Sequence, residues 1–93
     1  MKRRLPPRIW LGPHFYVKVE LTTAKALLTL LEEDETDKLV DGVWISSFED
    51  EDANMGTIYV CRAAGLQKRW AILRHELIHA IHDIDDWSRL KAL

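Results

Sequence analysis

The sequence predicts an α+β domain: a small antiparallel or mixed three-stranded sheet with an N-terminal helix and a long C-terminal helix. Three observations carry that expectation. Apolar and polar residues alternate from His14 to Leu21, β-branched and aromatic residues cluster at 43–48 and 57–61, and apolar residues recur at helical spacing from Leu66 onward. A chain of 93 residues suffices for one core and is too short for two, so residues 1–93 are read as a single domain. With 47% hydrophobic and 30% charged residues and little Gly or Pro, the composition is that of a folded chain, not of a disordered tail.

The alternation places Phe15, Val17, Val19 and Leu21 on one side and His14, Tyr16, Lys18 and Glu20 on the other, the period of a half-buried strand. Thr22 or Thr23 then caps a helix whose apolar face comes from Ala24, Ala26, Leu27, Leu28, Leu30 and Leu31. The acidic run Glu32 to Glu35 ends it, because carboxylates oppose the dipole at a helix C-terminus. Gly42 opens a second strand through Val43, Trp44 and Ile45 towards Phe48, and a third runs from Thr57 to Cys61. The acidic connection Glu49 to Gly56 reads as a solvated hairpin loop, since it lacks the alternate-residue ligands and closing Glu of a calcium loop. Gly65 breaks the chain, and a last helix is expected from Leu66 to about Asp83. Both helices are expected on one face of the sheet.

Charge and composition exclude several partners. A net charge of -2 argues against nucleic acid as an obligatory partner, and the one basic cluster, Lys2, Arg3, Arg4 and Arg8, reads as a solvated end. No apolar stretch approaches the roughly 18 to 20 residues of a membrane span, and the start lacks the apolar core of a signal peptide. No membrane partner is expected, and the cytoplasm is the expected compartment. Cys61 stands alone and forms no internal disulfide, which fits a reducing environment. Trp10, Trp44, Trp70 and Trp87 are assigned to core or interface area, and Tyr59 is read as an ordinary strand tyrosine before an oxyanion donor.

On a helical wheel with His75 at zero, Trp70, Leu73, Leu77, Ala80, Ile81 and Ile84 fall between about 140° and 240° and form the expected core stripe. His75, His79 and His82 fall within about 40° of zero, on the other side. Histidines four apart lie one above the other, so both imidazoles of His75-Glu76-Leu77-Ile78-His79 can direct a nitrogen at one zinc ion about 2.0 to 2.1 Å away. Glu76 is rotated so that its carboxylate reaches a water at the metal without entering the ligand set. Zinc acidifies such a water towards a pKa of about 7 and polarises a carbonyl, which suits hydrolysis of a peptide bond with Glu76 as general base. With four His and seven Glu in 93 residues, roughly one shuffled sequence in a hundred contains this pattern.

The stretch Gly56-Thr57-Ile58-Tyr59-Val60, followed by Ile72-Leu73-Arg74-His75-Glu76-Leu77-Ile78-His79-Ala80-Ile81, resembles the minimal zincin domains common in small phage and bacterial proteins. The opening Leu5 to Gly12 with Tyr16 to Val19 looks like the first strand of the same group, so the likeness spans most of the chain. The resemblance implies a zinc metallopeptidase with Thr57 to Arg62 as the edge strand on which an extended peptide substrate pairs. A catalytic zinc also needs a third protein ligand. Asp85 stands at the metzincin spacing and ranks first, Asp86 next, with Asp83, His82 and Cys61 as further candidates. A turn near His82 or Asp83 is needed for Asp85 to reach back, and neither a Gly at 82 nor a later Met is present. The rival expectation is a catalytically silent zincin-like component of an assembly such as a phage particle, with protein partners and with zinc as a staple or absent.

Overall fold

The computed structural model describes residues 4–31, 41–48 and 53–91 of the chain. The basic residues Lys2 and Arg3 and the acidic runs Glu32 to Glu35 and Glu49 to Asp52 lie outside the described residues. The elements follow in the order β1 (Arg8–Trp10), β2 (Tyr16–Thr22), α1 (Ala24–Leu30), β3 (Gly42–Ser46), β4 (Asn54–Cys61) and α2 (Leu66–Lys91). They form an α+β fold with one mixed sheet in the order β1-β2-β4-β3. β1 runs antiparallel to β2, β2 parallel to β4, and β3 antiparallel to β4.

The sheet thus has four strands where three are expected. The extra one, β1, spans three residues between Pro7 and Gly12, too short for an alternating pattern to register. The first helix is not N-terminal: α1 follows two strands and lies between β2 and β3. Its start matches expectation, with Thr23 in extended conformation and its hydroxyl oxygen accepting from the Ala26 amide at 3.1 Å. β4 begins at Asn54, three residues before Thr57, because the residues assigned to a hairpin loop continue the ladder with β2.

A β-bulge sets the phase of β4. Tyr16 pairs with Asn54 and Lys18 with Thr57, so three steps on β4 match two on β2. The extra residue turns Met55 to the same side as Ile58 and Val60, where all three join one core with Val17 and Val19. Gly56 takes φ +148°, and its amide donates to the Asn54 side-chain oxygen at 3.0 Å. A Cβ at Gly56 would lie 2.3 Å from the Ile45 carbonyl oxygen and 2.5 Å from the Trp44 ring, so both dihedral and space demand glycine.

The two helices cover opposite faces of the sheet, not one. Leu73, Ala80 and Ile84 of α2 complete the core with Val17, Val19, Met55, Ile58 and Val60. Leu27 of α1 instead meets Val43 and Cys61, flanked by Ile45 and Tyr59. Strand residues alternate sides, so Val60 and its neighbour Cys61 necessarily serve different layers. α2 also runs past Asp83 to Lys91. Nothing after Gly65 breaks it: Asp85 and Arg89 pair at 3.2 Å one turn apart, and Trp87 stacks on Phe48 with ring centroids 5.2 Å apart. Among the described residues no helix is long and apolar enough to cross a membrane.

Gly56→Ala is expected to cost about 2 to 4 kcal/mol, from its backbone dihedral and the carbonyl contact together. Leu73→Ala should cost about 2 to 5 kcal/mol by emptying the centre of the larger core. Urea midpoints for each variant against the parent chain check both values.

Candidate metal centre

The register of α2 against the sheet decides which side chains face one another. The buried residues Leu73, Ala80 and Ile84 lie near 140° to 180° on the wheel, and Trp70 and Leu77 are half-buried. Ile81 is 47% exposed rather than part of the core stripe. The buried face is therefore turned by about 30° from the expected one, towards Glu76 and Asp83. The cause is the close approach of α2 to β3. A Cβ at Gly42 would lie 2.4 Å from Ile72 Cγ2, 3.0 Å from the Tyr59 carbonyl oxygen and 3.5 Å from Glu76 Cγ. The bare backbone at Gly42 is what Ile72 and Glu76 lie over.

Two polar contacts hold the same seam. Trp44 of β3 donates its indole N–H to Asp83 Oδ2 at 2.8 Å. Lys68 in the first turn of α2 reaches Asp41 at 3.4 Å, just ahead of β3; both side chains are well exposed, and the pair contributes little to stability. The helix is thus seated along the β3 edge at three levels, near residues 68, 76 and 83.

His75 and His79 are exposed at the rim of this seam, and Glu76 is half-buried between them and β3. The two Nε2 atoms converge to 3.3 Å, with the rings 78° apart and their centroids at 4.8 Å. Two nitrogens held about 2.0 to 2.1 Å from one tetrahedral ion stand about 3.3 to 3.4 Å apart, so the pair has the spacing of two zinc ligands. That distance is long for an N–H···N hydrogen bond between the rings. Two imidazoles at this spacing are a donor pair suited to zinc, and a complete site needs further ligands beyond them.

The structure does not bring the candidate third ligands to this pair. α2 continues without reversal through His82 and Asp83, which puts Asp85 about 12 Å and Asp86 about 13 Å along the axis from the centre of the His75–His79 turn. Asp85 is directed to Arg89, and Asp83 is held by Trp44. His82 is exposed one turn beyond His79. Cys61 is buried with Leu27 and Val43 on the far side of the sheet. Among the described residues no group of three His, Cys, Asp or Glu is arranged to hold a metal ion.

The expected substrate edge also moves. β4 is paired on both sides, by β2 and β3, so the strand part of the expected Thr57 to Arg62 edge, Thr57 to Cys61, is interior. The edge beside α2 is β3. Tyr59 packs towards Leu27 and Val43, away from α2, in keeping with an ordinary strand tyrosine. Sequence reasoning missed Gly42, Trp44 and Asp83 as the residues that set the seam; a glycine starting a strand was the one local signal. No family model matches the chain, and no curated protein or solved structure does either.

Gly42→Ala is expected to lower stability by about 1 to 3 kcal/mol by pushing Ile72 and Glu76 off the strand. Trp44→Phe should cost about 1 to 3 kcal/mol, because it removes both the indole N–H on Asp83 and the distal ring atoms that lie over Gly56. Thermal and urea unfolding of both variants measure the difference.

Proposed function

We propose that the protein is a zinc-dependent hydrolase of peptide bonds in which His75 and His79 hold the ion and Glu76 is the general base. The observation that carries the reading is the 3.3 Å approach of the two Nε2 atoms on one turn of a continuous helix. When bound, zinc would supply Lewis acidity, polarising the scissile carbonyl and acidifying the attacking water. Glu76 receives the proton of that water and delivers it to the leaving amine. Its half-buried stem lies over Gly42, on the side of the helix next to the histidines.

The substrate reading is an extended peptide or protein segment lying along β3, whose outer ladder groups have no strand beside them among the described residues. In this reading β3 takes the role that the resemblance to zincins assigned to Thr57 to Arg62. Asp85 joins the ligand set only if α2 unwinds beyond His79 and releases the Arg89 pair. The reading places the protein in the cytoplasm, or in a virion if a phage encodes it.

A second reading, a zincin-like assembly component without turnover, is favoured by one observation: no third ligand accompanies His75 and His79 among the described residues. Two imidazoles alone hold zinc weakly. In that case the domain binds partner proteins, and zinc is a staple or absent.

Protein purified without an affinity tag is expected to carry close to one equivalent of zinc by elemental analysis, and His75→Ala or His79→Ala to lose it. Less than about half an equivalent in the parent chain counts against the metal site. Glu76→Gln should keep the zinc and lose at least about 100-fold in cleavage of a peptide library. Zinc retained by both chains with no cleavage by either selects the assembly reading.

A further inference from the structure

Away from the histidines, the structure gathers three arginines that are far apart in the sequence. Arg4, Arg62 and Arg69 line one groove of about 680 Å³, between the N-terminal segment, β2 and the first turns of α2. Leu5 and Leu21 contribute an apolar surface, and among the described residues Glu20 is the single carboxylate in the lining. Arg69 is half-buried, and its position is set by two main-chain acceptors: Nε donates to the Ala64 carbonyl at 2.8 Å, and an Nη donates to the Arg62 carbonyl. Those bonds order the guanidinium through neutral acceptors. Among the described residues the ion pairs are Lys68–Asp41 and Asp85–Arg89, so none of the three groove arginines has a carboxylate partner.

We propose that this groove binds a small phosphate monoester through Arg4, Arg62 and Arg69, with the organic part of the ligand against Leu5 and Leu21. The charge argument selects the class. Among the described residues, three guanidinium groups against one carboxylate leave an excess of two positive charges in the lining. A phosphate monoester carries about -1.5 to -2 at neutral pH and presents three acceptor oxygens, whereas a carboxylate carries one charge. Guanidinium forks match such oxygens two at a time, and more than one fork can serve a single phosphate. The apolar lining favours an ester over the bare ion, because inorganic phosphate leaves it wet.

Arg4 belongs to the basic N-terminal cluster that reads in the sequence as a solvated end. Its partners in the groove come from the end of β4 and the first turn of α2, so the site exists only in the folded chain. Gly65 and the Cys61–Ala64 turn, closed by the Ala64 amide on the Cys61 carbonyl at 3.2 Å, bring Arg62 and Arg69 together.

Phenyl phosphate titrated into the full-length protein, followed by amide chemical shifts, tests the proposal. Saturable shifts are expected around Leu21, Arg62 and Arg69. Phenylacetate and inorganic phosphate should each bind at least about 10-fold more weakly, a difference of about 1.4 kcal/mol. Arg62→Gln should weaken phenyl phosphate about 10-fold or more and Glu20→Gln should strengthen it, with thermal midpoints near the parent value. Arg4→Gln provides a second loss variant if Arg62→Gln does not fold. No saturation up to about 20 mM, equal binding of phenylacetate, or unchanged affinity in the folded arginine variants overturns the proposal. None of these readouts depends on zinc or on peptide cleavage, so the result stands apart from the fate of the hydrolase reading.

Discussion

The close seating of α2 on β3 and β4 is the constraint on which the rest of the structure depends. It requires an absent side chain at Gly42, beneath Ile72 and Glu76, and another at Gly56, beneath the Trp44 ring. With these in place, Leu73, Ala80 and Ile84 reach Ile58 and Val60, and one helix closes the larger core. A larger side chain at either glycine lifts the helix or the tryptophan that lies across the sheet. The stability of the fold and the placement of Glu76 are therefore one packing problem.

Burial is unequal on the two faces, and the inequality explains the roles of the helices. α1 has seven residues, fewer than an isolated helix needs to persist in water, and it contributes one fully buried side chain, Leu27. α2 has 26 residues and supplies three of the buried side chains in the larger core. The long helix is thus the rigid element, and a rigid helix is the better platform for two convergent histidines. Rotation of its buried face towards β3 leaves Ile78 and Ile81 in solvent at 58% and 47% exposure, while drawing Glu76 partly under cover.

At the candidate metal centre, exposure and order are reconciled by the helix itself. His75 and His79 need no buried environment to be aligned, because the 3.6-residue turn places their rings at ligand spacing. Glu76 differs: its position depends on tertiary contact with β3. The seam is pinned beyond His79 by the Trp44 indole on Asp83, which removes Asp83 from the ligands and gives it a part in holding the edge strand. The arginine groove lies on the β2 side of the first turns of α2, at the opposite end of the helix from the Asp85–Arg89 pair.

Local features were legible in the sequence because their causes are local. The His75–His79 spacing, the Thr23 cap, the start of α2 after Gly65 and the alternation in β2 each depend on residues within about one or two turns or strand steps. Other features follow from contacts between distant residues and were decided by the tertiary structure. The parallel pairing of β2 with β4 buried the strand expected at the edge and left β3 there. The bulge at Met55 and Gly56 turned a presumed loop into ladder, and β1 acquired strand structure by pairing with β2 despite its length. α1 and α2 separated to opposite faces because Val43 and Cys61 present apolar surface on one side while Ile58 and Val60 do so on the other. The sequence by itself determined that two histidines and a glutamate share one helix. Only the folded sheet decided that the glutamate lies over a glycine at the edge strand, because that contact joins residues too far apart in the chain for any periodicity to reveal.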